Sequence, residues 1–217
     1  HAAESGMLAA FAAASGMTGS PDALDGKTGY AAATSASTGD WASALNGLGV
    51  WNPIERMTIK NHGCCGHIFP ALDGLRVMRQ RDGFTGPDIR AIHIDGYEAT
   101  KTMCDRPAAD VAAATRFSTQ YCIAADLVLG AVRLGAFEDQ ALKNPAIREL
   151  MSKVTVGINP ELARLYPRQR MARLTVHLND GRTLEHLQQT RKGDPEDPLS
   201  LDEVIQKFED RKSTRLN

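Results

Sequence analysis

The densest cluster of chemically able side chains is the run Lys60-Asn-His62-Gly-Cys64-Cys65-Gly-His67, which places a lysine, two histidines and two cysteines within a few residues. Three kinds of chemistry compete for it. The ligand types suit zinc, but the spacing is not the C-x-x-C of a structural site, and side chains of adjacent cysteines diverge. A packing reading is the plainest: small cysteines buried in a Gly-bracketed turn, with the histidines bonded to backbone. The third reading is an anion or acid–base site. A lysine beside a Gly-rich turn that opens a helix combines a cation with free backbone amides, a natural receptor for carboxylate. Burial there would bring the lysine into use as a proton donor or acceptor.

A second run, Gly26-Lys27-Thr28, has the ending of a phosphate-binding loop. The motif needs glycine at position 21, which is Pro21 and offers no amide; no apolar strand precedes it. It reads as a solvated turn. The other cysteines, Cys104 and Cys122, read as packing residues, as does a tyrosine, Tyr121, on an apolar helical stripe.

The elements that must carry these residues fall into two compositional regimes. Residues 1–50 hold 14 Ala and 8 Gly with one basic side chain, Lys27, whereas residues 151–217 hold 12 basic and 10 acidic ones. The whole chain, at 42% hydrophobic and 24% charged, has globular composition, and a net charge of −1 argues against a nucleic-acid footprint. Four cysteines are too few for a disulfide scaffold and fit a reducing cytoplasm. The uncharged stretch from Ser5 to Pro21 is broken by glycines and falls short of a ~20-residue span, so the expectation is a soluble protein with no membrane partner.

The opening residues after His1 read as a helix entered in mid-course. Asp40 is placed to cap a short helix running to Gly49. Met57–Lys60 reads as a short extended run, and Pro70 onward as a helix ending near Asp82. Asp88–Tyr97 has the β-branched content of a strand, Pro107 begins a long helix through Gly130, and Pro145–Lys153 gives another, before a strand at Val154. Alternation in Met171–Leu178, then Asp180-Gly181, then a second extended run predicts a hairpin. That hairpin and the Asp88–Tyr97 strand should share a sheet covered by the Pro107–Gly130 helix. Ser200 and Glu203 form a capping box for a last helix. The result is an α+β lid over residues 55–192, with an antiparallel or mixed sheet. Part of a helical domain (1–54) precedes it, and a crossover and helix (193–217) return to that domain.

Five blocks in order carry a resemblance. They are Ile59-Lys60-x-x-x-Cys64-Cys65-Gly-His67-x-x-Pro-Ala-Leu-Asp73, Arg116-Phe-Ser-Thr-Gln-Tyr121, Asp180-Gly-Arg-Thr, Lys192-Gly-Asp-Pro-Glu-Asp-Pro-Leu-Ser200 and Lys207-Phe208. Together with the opening His1–Ala9 and the Pro21–Gly26 loop, they resemble the MmgE/PrpD family. That family includes 2-methylcitrate dehydratase, cis-aconitate decarboxylase and iminodisuccinate epimerase.

The resemblance implies a large all-helical domain with a smaller α+β lid inserted, and a homodimer through the helical domain. It also implies metal-free and cofactor-free chemistry on small di- or tricarboxylates. Of the three reactions, the primary expectation is a carbon–oxygen lyase that dehydrates 2-methylcitrate or a related tricarboxylate, as in propionate catabolism. Decarboxylation and epimerisation stay open, as do a catalytically incomplete chain and, more weakly, a zinc-binding interaction module. Carried across by position, Lys60 and Tyr121 are the catalytic candidates, and His67 is a substrate-binding one. The family's other catalytic residues belong upstream of the segment matching His1, and the tail Lys212–Asn217 departs from the pattern.

Overall fold

Strict alternation in Ala172–Leu178 requires a covered face, and the computed structural model, which describes residues 1–36, 39–50 and 52–213, supplies one. Leu174, Val176 and Leu178 are buried, while Arg173, Thr175 and His177 between them stay partly open.

The chain forms two compact units, His1–Pro53 and Ile54–Asn217. The first holds α1 (Ala2–Ala14), α2 (Tyr30–Thr34) and α3 (Trp41–Leu45). Asp40 caps α3, its carboxylate accepting from Ser43 N at 3.0 Å, but the helix stops at Leu45 rather than near Gly49. Among these helices only Ala31 is buried.

The second unit begins with α4 (Phe69–Asp82), β1 (Ile89–Gly96), α5 (Glu98–Cys104), α6 (Ala112–Thr115) and α7 (Thr119–Leu129). It continues with α8 (Asp139–Leu142), α9 (Pro145–Met151), β2 (Val154–Ile158), α10 (Pro160–Leu165), β3 (Ala172–Leu178), β4 (Thr183–Gln188) and α11 (Leu201–Ser213). The four strands make one mixed sheet in the order β2-β1-β3-β4. β1 pairs in parallel with β2 and antiparallel with β3, and β3–β4 is the hairpin, with Gly181 at φ +91° in its turn. The parallel pair needs a crossover, which α5 to α9 provide. The fold class is α+β.

Helix α4 lies against β3 and β4, and α7 packs on α4, α9 and β2. Gly74 permits the first contact: a Cβ there would sit 2.7 Å from Leu174 Cδ1. The core that results joins Ile68, Phe69 and Leu72 to Ile92, Ile94, Ile123 and Leu174.

Two expectations are corrected. The Pro107–Gly130 helix is not continuous: it breaks between α6 and α7, and Val111 at its start is 57% exposed. Ser118 is the reason. Its Oγ accepts from Tyr121 N at 3.1 Å and donates to Arg106 O at 2.7 Å, the local bonding that makes serine a helix cap rather than an interior residue. Met57–Lys60 forms no strand; Ile59 N instead donates to Gly193 O at 2.8 Å.

The capping box of α11 is present in both directions, Ser200 N to Glu203 Oε2 at 2.7 Å and Glu203 N to Ser200 Oγ at 3.2 Å. The crossover and α11 fall within the unit Ile54–Asn217, where Lys207 Nζ donates to Lys60 O. Of the expected tail, residues 214–217 lie outside the described residues. No helix among the described residues is long and apolar enough to cross a membrane.

Candidate functional site

The turn from Asn61 to His67 is locked from several sides before it enters α4. Gly63 N donates to Val132 O at 2.8 Å, Cys65 N to Arg116 O at 2.9 Å, and Arg116 Nη1 back to Gly63 O at 3.0 Å. Ile68 N closes the turn on Cys65 O at 3.0 Å. With the backbone fixed in this way, the side chains of the turn leave in different directions.

His62 points into the protein, where Nε2 meets Asp73 Oδ1 at 2.8 Å; the other Asp73 oxygen accepts from Lys192 N at 2.9 Å. His67 turns instead to Tyr97, Nδ1 and the hydroxyl sharing a hydrogen bond of 2.9 Å. Cys64, Cys104 and Cys122 lie in the core, where Cys122 Sγ donates to Thr115 O at 3.4 Å, and half-buried Cys65 packs against that core. Among the described residues no three His, Cys, Asp or Glu side chains are arranged as metal ligands would be. The zinc reading of the turn therefore lacks a ligand set.

What the turn does form is the wall of a cavity of about 300 Å³ lined by Lys60, Cys65, His67, Tyr166, Arg170 and Arg191, with Thr58, Gly66 and Phe69. Three cations line it and no carboxylate does. Arg191 is buried and largely committed: its guanidinium grips both oxygens of Asp194 at 2.7 Å and donates to Gly66 O at 3.1 Å. Arg170, half-buried, makes no hydrogen bond or ion pair with another described residue. Its charge is available to a ligand.

The field of these cations is felt by the neighbours. Burial, then Arg170 and Arg191, holds the His67 pKa below its ordinary value of 6.5, so the imidazole is neutral at pH 7. Burial pushes the Tyr97 hydroxyl up to about 12, which keeps it protonated. Tyr97 and Tyr166 stack at 4.4 Å between ring centroids, and both meet the His67 ring edge-on. The Cys65 thiol is drawn down to about 6 by hydrogen bonds from Cys104 and from the His67 N–H, and by the charges of Lys60 and Arg106.

Lys60 also borders a second cavity of about 260 Å³, with His62, Cys64, Arg133, Lys207 and Asp210. Arg133 is spoken for there, donating to the Asn61 carbonyl and, at 3.1 Å, to Asn61 Oδ1.

Lys60 and His67 are thus brought together on one cavity wall. The burial expected of Lys60 is absent: it is exposed. Tyr121 is set apart. It is fully buried, its hydroxyl donates to Ala136 O, its ring lies 6.0 Å from that of Phe137, and it lines neither Lys60 cavity. Burial pushes its pKa up to about 12. For Tyr121 the packing reading is the one that fits this placement.

Sequence reasoning missed Tyr166, Arg170, Arg191 and Tyr97. The first three sit outside the regular elements, where no periodicity marks them. The only signal was positional: Arg191 directly precedes the Lys192–Ser200 block, and Arg168, Arg170 and Arg173 crowd the stretch after Tyr166.

Residues 62–217 match the family model described as the MmgE/PrpD C-terminal domain. Comparison with curated proteins finds no match.

Proposed function

We propose, for a chain that belongs to the MmgE/PrpD family, that the cavity of Lys60, His67 and Arg170 binds a small di- or tricarboxylate for acid–base lyase chemistry. At the level of the family the role is lyase-like, since its members are generally lyases or related enzymes. The finer reading is dehydration of 2-methylcitrate or a related tricarboxylate.

The observation that carries it is the unpaired guanidinium of Arg170 in a small cavity with no lining carboxylate. Its volume is at the low end of the ~300–1,000 Å³ usual for ligand clefts. Arg170 offers two parallel N–H donors to a carboxylate and Lys60 a mobile charge.

Dehydration requires a base for the proton α to a carboxylate and an acid for the departing hydroxyl. The neutral imidazole of His67 supplies the first through Nε2, in the tautomer whose Nδ1–H donates to the Tyr97 hydroxyl oxygen. The Lys60 ammonium serves the second. Decarboxylation or epimerisation would use the same cations to hold the carboxylates and stabilise the same carbanion. A homodimer and a cytoplasmic location belong to the same proposal.

Titration calorimetry of the chain with citrate, cis-aconitate, 2-methylcitrate and iminodisuccinate tests the reading, alongside turnover assays on the last three. Losing a charge-assisted hydrogen bond costs about 1.5–3 kcal/mol, so Arg170→Ala and Lys60→Ala should each weaken binding about 10- to 100-fold. Affinities unchanged in both variants would overturn the carboxylate site.

A further inference from the structure

His62 stands apart from the acid–base groups used so far. Its side chain is 1% exposed, yet it forms part of the wall of the second Lys60 cavity, with Cys64, Arg133 and Lys207. Nε2 is committed to Asp73 Oδ1 at 2.8 Å, and the ring meets Phe69 edge-on at 5.1 Å between centroids. Nδ1 makes no hydrogen bond with another described residue. Among the described residues, the polar side-chain atoms that are both unpartnered and sealed belong to Thr100, Thr119, Asp126 and Arg173. Nδ1 of His62 is unpartnered without being sealed, so its opening is the cavity. A nearly enclosed ring nitrogen without a partner calls for a ligand atom there. We propose that His62 selects a hydroxyl-bearing carboxylate, its Nδ1 accepting from the ligand hydroxyl beside Lys60.

The polarity of that nitrogen follows from what holds the other. The Asp73 carboxylate only accepts, so Nε2 carries the ring hydrogen, and in the neutral ring Nδ1 is the bare nitrogen. Asp73 stands on α4, and its second oxygen accepts from Lys192 N at 2.9 Å, which fixes the carboxylate in turn. The backbone on either side of His62 is pinned as well. Arg133 donates to the Asn61 carbonyl, and Gly63 N to Val132 O at 2.8 Å. A held carboxylate that orients a histidine, whose other nitrogen faces a cavity, makes a preformed acceptor.

Lys60 joins this acceptor to the proposed function, on which the inference rests. It borders both cavities, and in that reading its ammonium is the acid for the departing hydroxyl. A hydroxyl whose oxygen accepts from Lys60 keeps its own hydrogen to donate, and Nδ1 takes it. An ionised carboxylate or a methylene arm has no such hydrogen to give. Arg170 and Lys60 thus hold the charge that all di- and tricarboxylates share. His62 reads the hydroxyl that only some of them carry.

Calorimetry with citrate and with tricarballylate, which has the same three carboxylates and no hydroxyl, reads this selection directly. Citrate should bind the unaltered chain about 10- to 100-fold more tightly, the range for a hydrogen bond whose loss orphans a buried partner. His62→Gln keeps an amide donor for Asp73 where Nε2 stood and removes the acceptor at Nδ1. There the two ligands should bind alike, with tricarballylate affinity held. Asp73 is a positioning residue, tested by Asp73→Asn. The new amide oxygen keeps Lys192 N, its NH2 faces Nε2, and the ring hydrogen should move to Nδ1, taking the citrate preference with it. Heteronuclear NMR of the histidine rings reads that move, and the signal missing from His62→Gln identifies His62. In the unaltered chain His62 should be the Nε2–H form, its Nδ1 signal shifting with citrate and not with tricarballylate. Equal affinity for the two ligands, a preference that survives His62→Gln, or an unliganded ring with hydrogen on Nδ1 would each overturn the assignment. Tight binding of both ligands that Arg170→Ala weakens equally would overturn it and leave the carboxylate site standing. Binding of neither would overturn both.

Discussion

The units His1–Pro53 and Ile54–Asn217 are both rich in apolar residues, yet only the second turns them into a core. In α1 all thirteen residues are helical and none is buried; Met7, Leu8 and Phe11 stand open to solvent. In the second unit Ile92, Ile94, Leu174 and Val176 alternate on paired strands and are enclosed by α4 and α7. The difference lies in pattern and side-chain size. Alanine and glycine contribute little area to bury, and an isolated helix shorter than ~12–15 residues is marginal in water even when rich in alanine. Period-2 alternation, by contrast, delivers every second side chain to one face, where a helix can cover it. The candidate site belongs to the unit that has this rigid backing.

The widest expected contrast is in hydrogen exchange. Core strands open only through global unfolding, worth about 5–15 kcal/mol, while an uncovered helix opens at close to zero cost. Amides of β1 and β3 should therefore be protected at least about a thousandfold more than those of α1. Equal protection in the two would break the comparison.

A smaller but sharper contrast comes from removing the same side chain on each side. Leu174 is fully enclosed and touches the space beside Gly74; Leu8 is 70% exposed. Leu174→Ala should cost about 2–5 kcal/mol in chemical denaturation, because the cavity cannot collapse against α4. Leu8→Ala should stay within about 0.5 kcal/mol. If Leu8→Ala destabilised as much as Leu174→Ala, α1 would have a packing role that its exposure does not show.

The same contrast decides what was legible beforehand. The hairpin could be read because alternation and the Asp180-Gly181 turn pointed to one pairing, and α4 because Ala71, Leu72, Leu75 and Met78 recur at helical spacing. Helix α10 was missed although Asn159 caps it, its side chain accepting from Glu161 N at 2.9 Å; six residues are too few for a period to show. Lys60 and His67 announced themselves by residue type within one short turn. Arg170 and Tyr166 did not, because an irregular segment has no repeat and the cavity joins parts of the chain that are distant in sequence. Tyr121 shows the opposite pattern. Position in a matching block singled it out, and burial against Phe137 and Ala136 O placed it elsewhere.

Tyr121 also allows the smallest prediction, one that separates the core of the second unit from its cavity. Its hydroxyl is completely enclosed and spent on the Ala136 carbonyl, with Arg148 over the ring at 5.7 Å. Tyr121→Phe keeps the ring and deletes only the donor, leaving a buried carbonyl without its partner. That loss should cost about 1–2 kcal/mol of stability, within the range for an orphaned buried acceptor. Carboxylate affinity should not change, since Tyr121 lines neither cavity that Lys60 borders. Denaturant titration and calorimetry on the same variant read the two quantities separately. A stable variant with affinity or turnover lowered about a hundredfold would return Tyr121 to the proton-transfer role implied by its position in the family. A destabilised variant with normal binding would leave it in the core, as a residue that holds α7 to the Leu134–Phe137 turn behind the site.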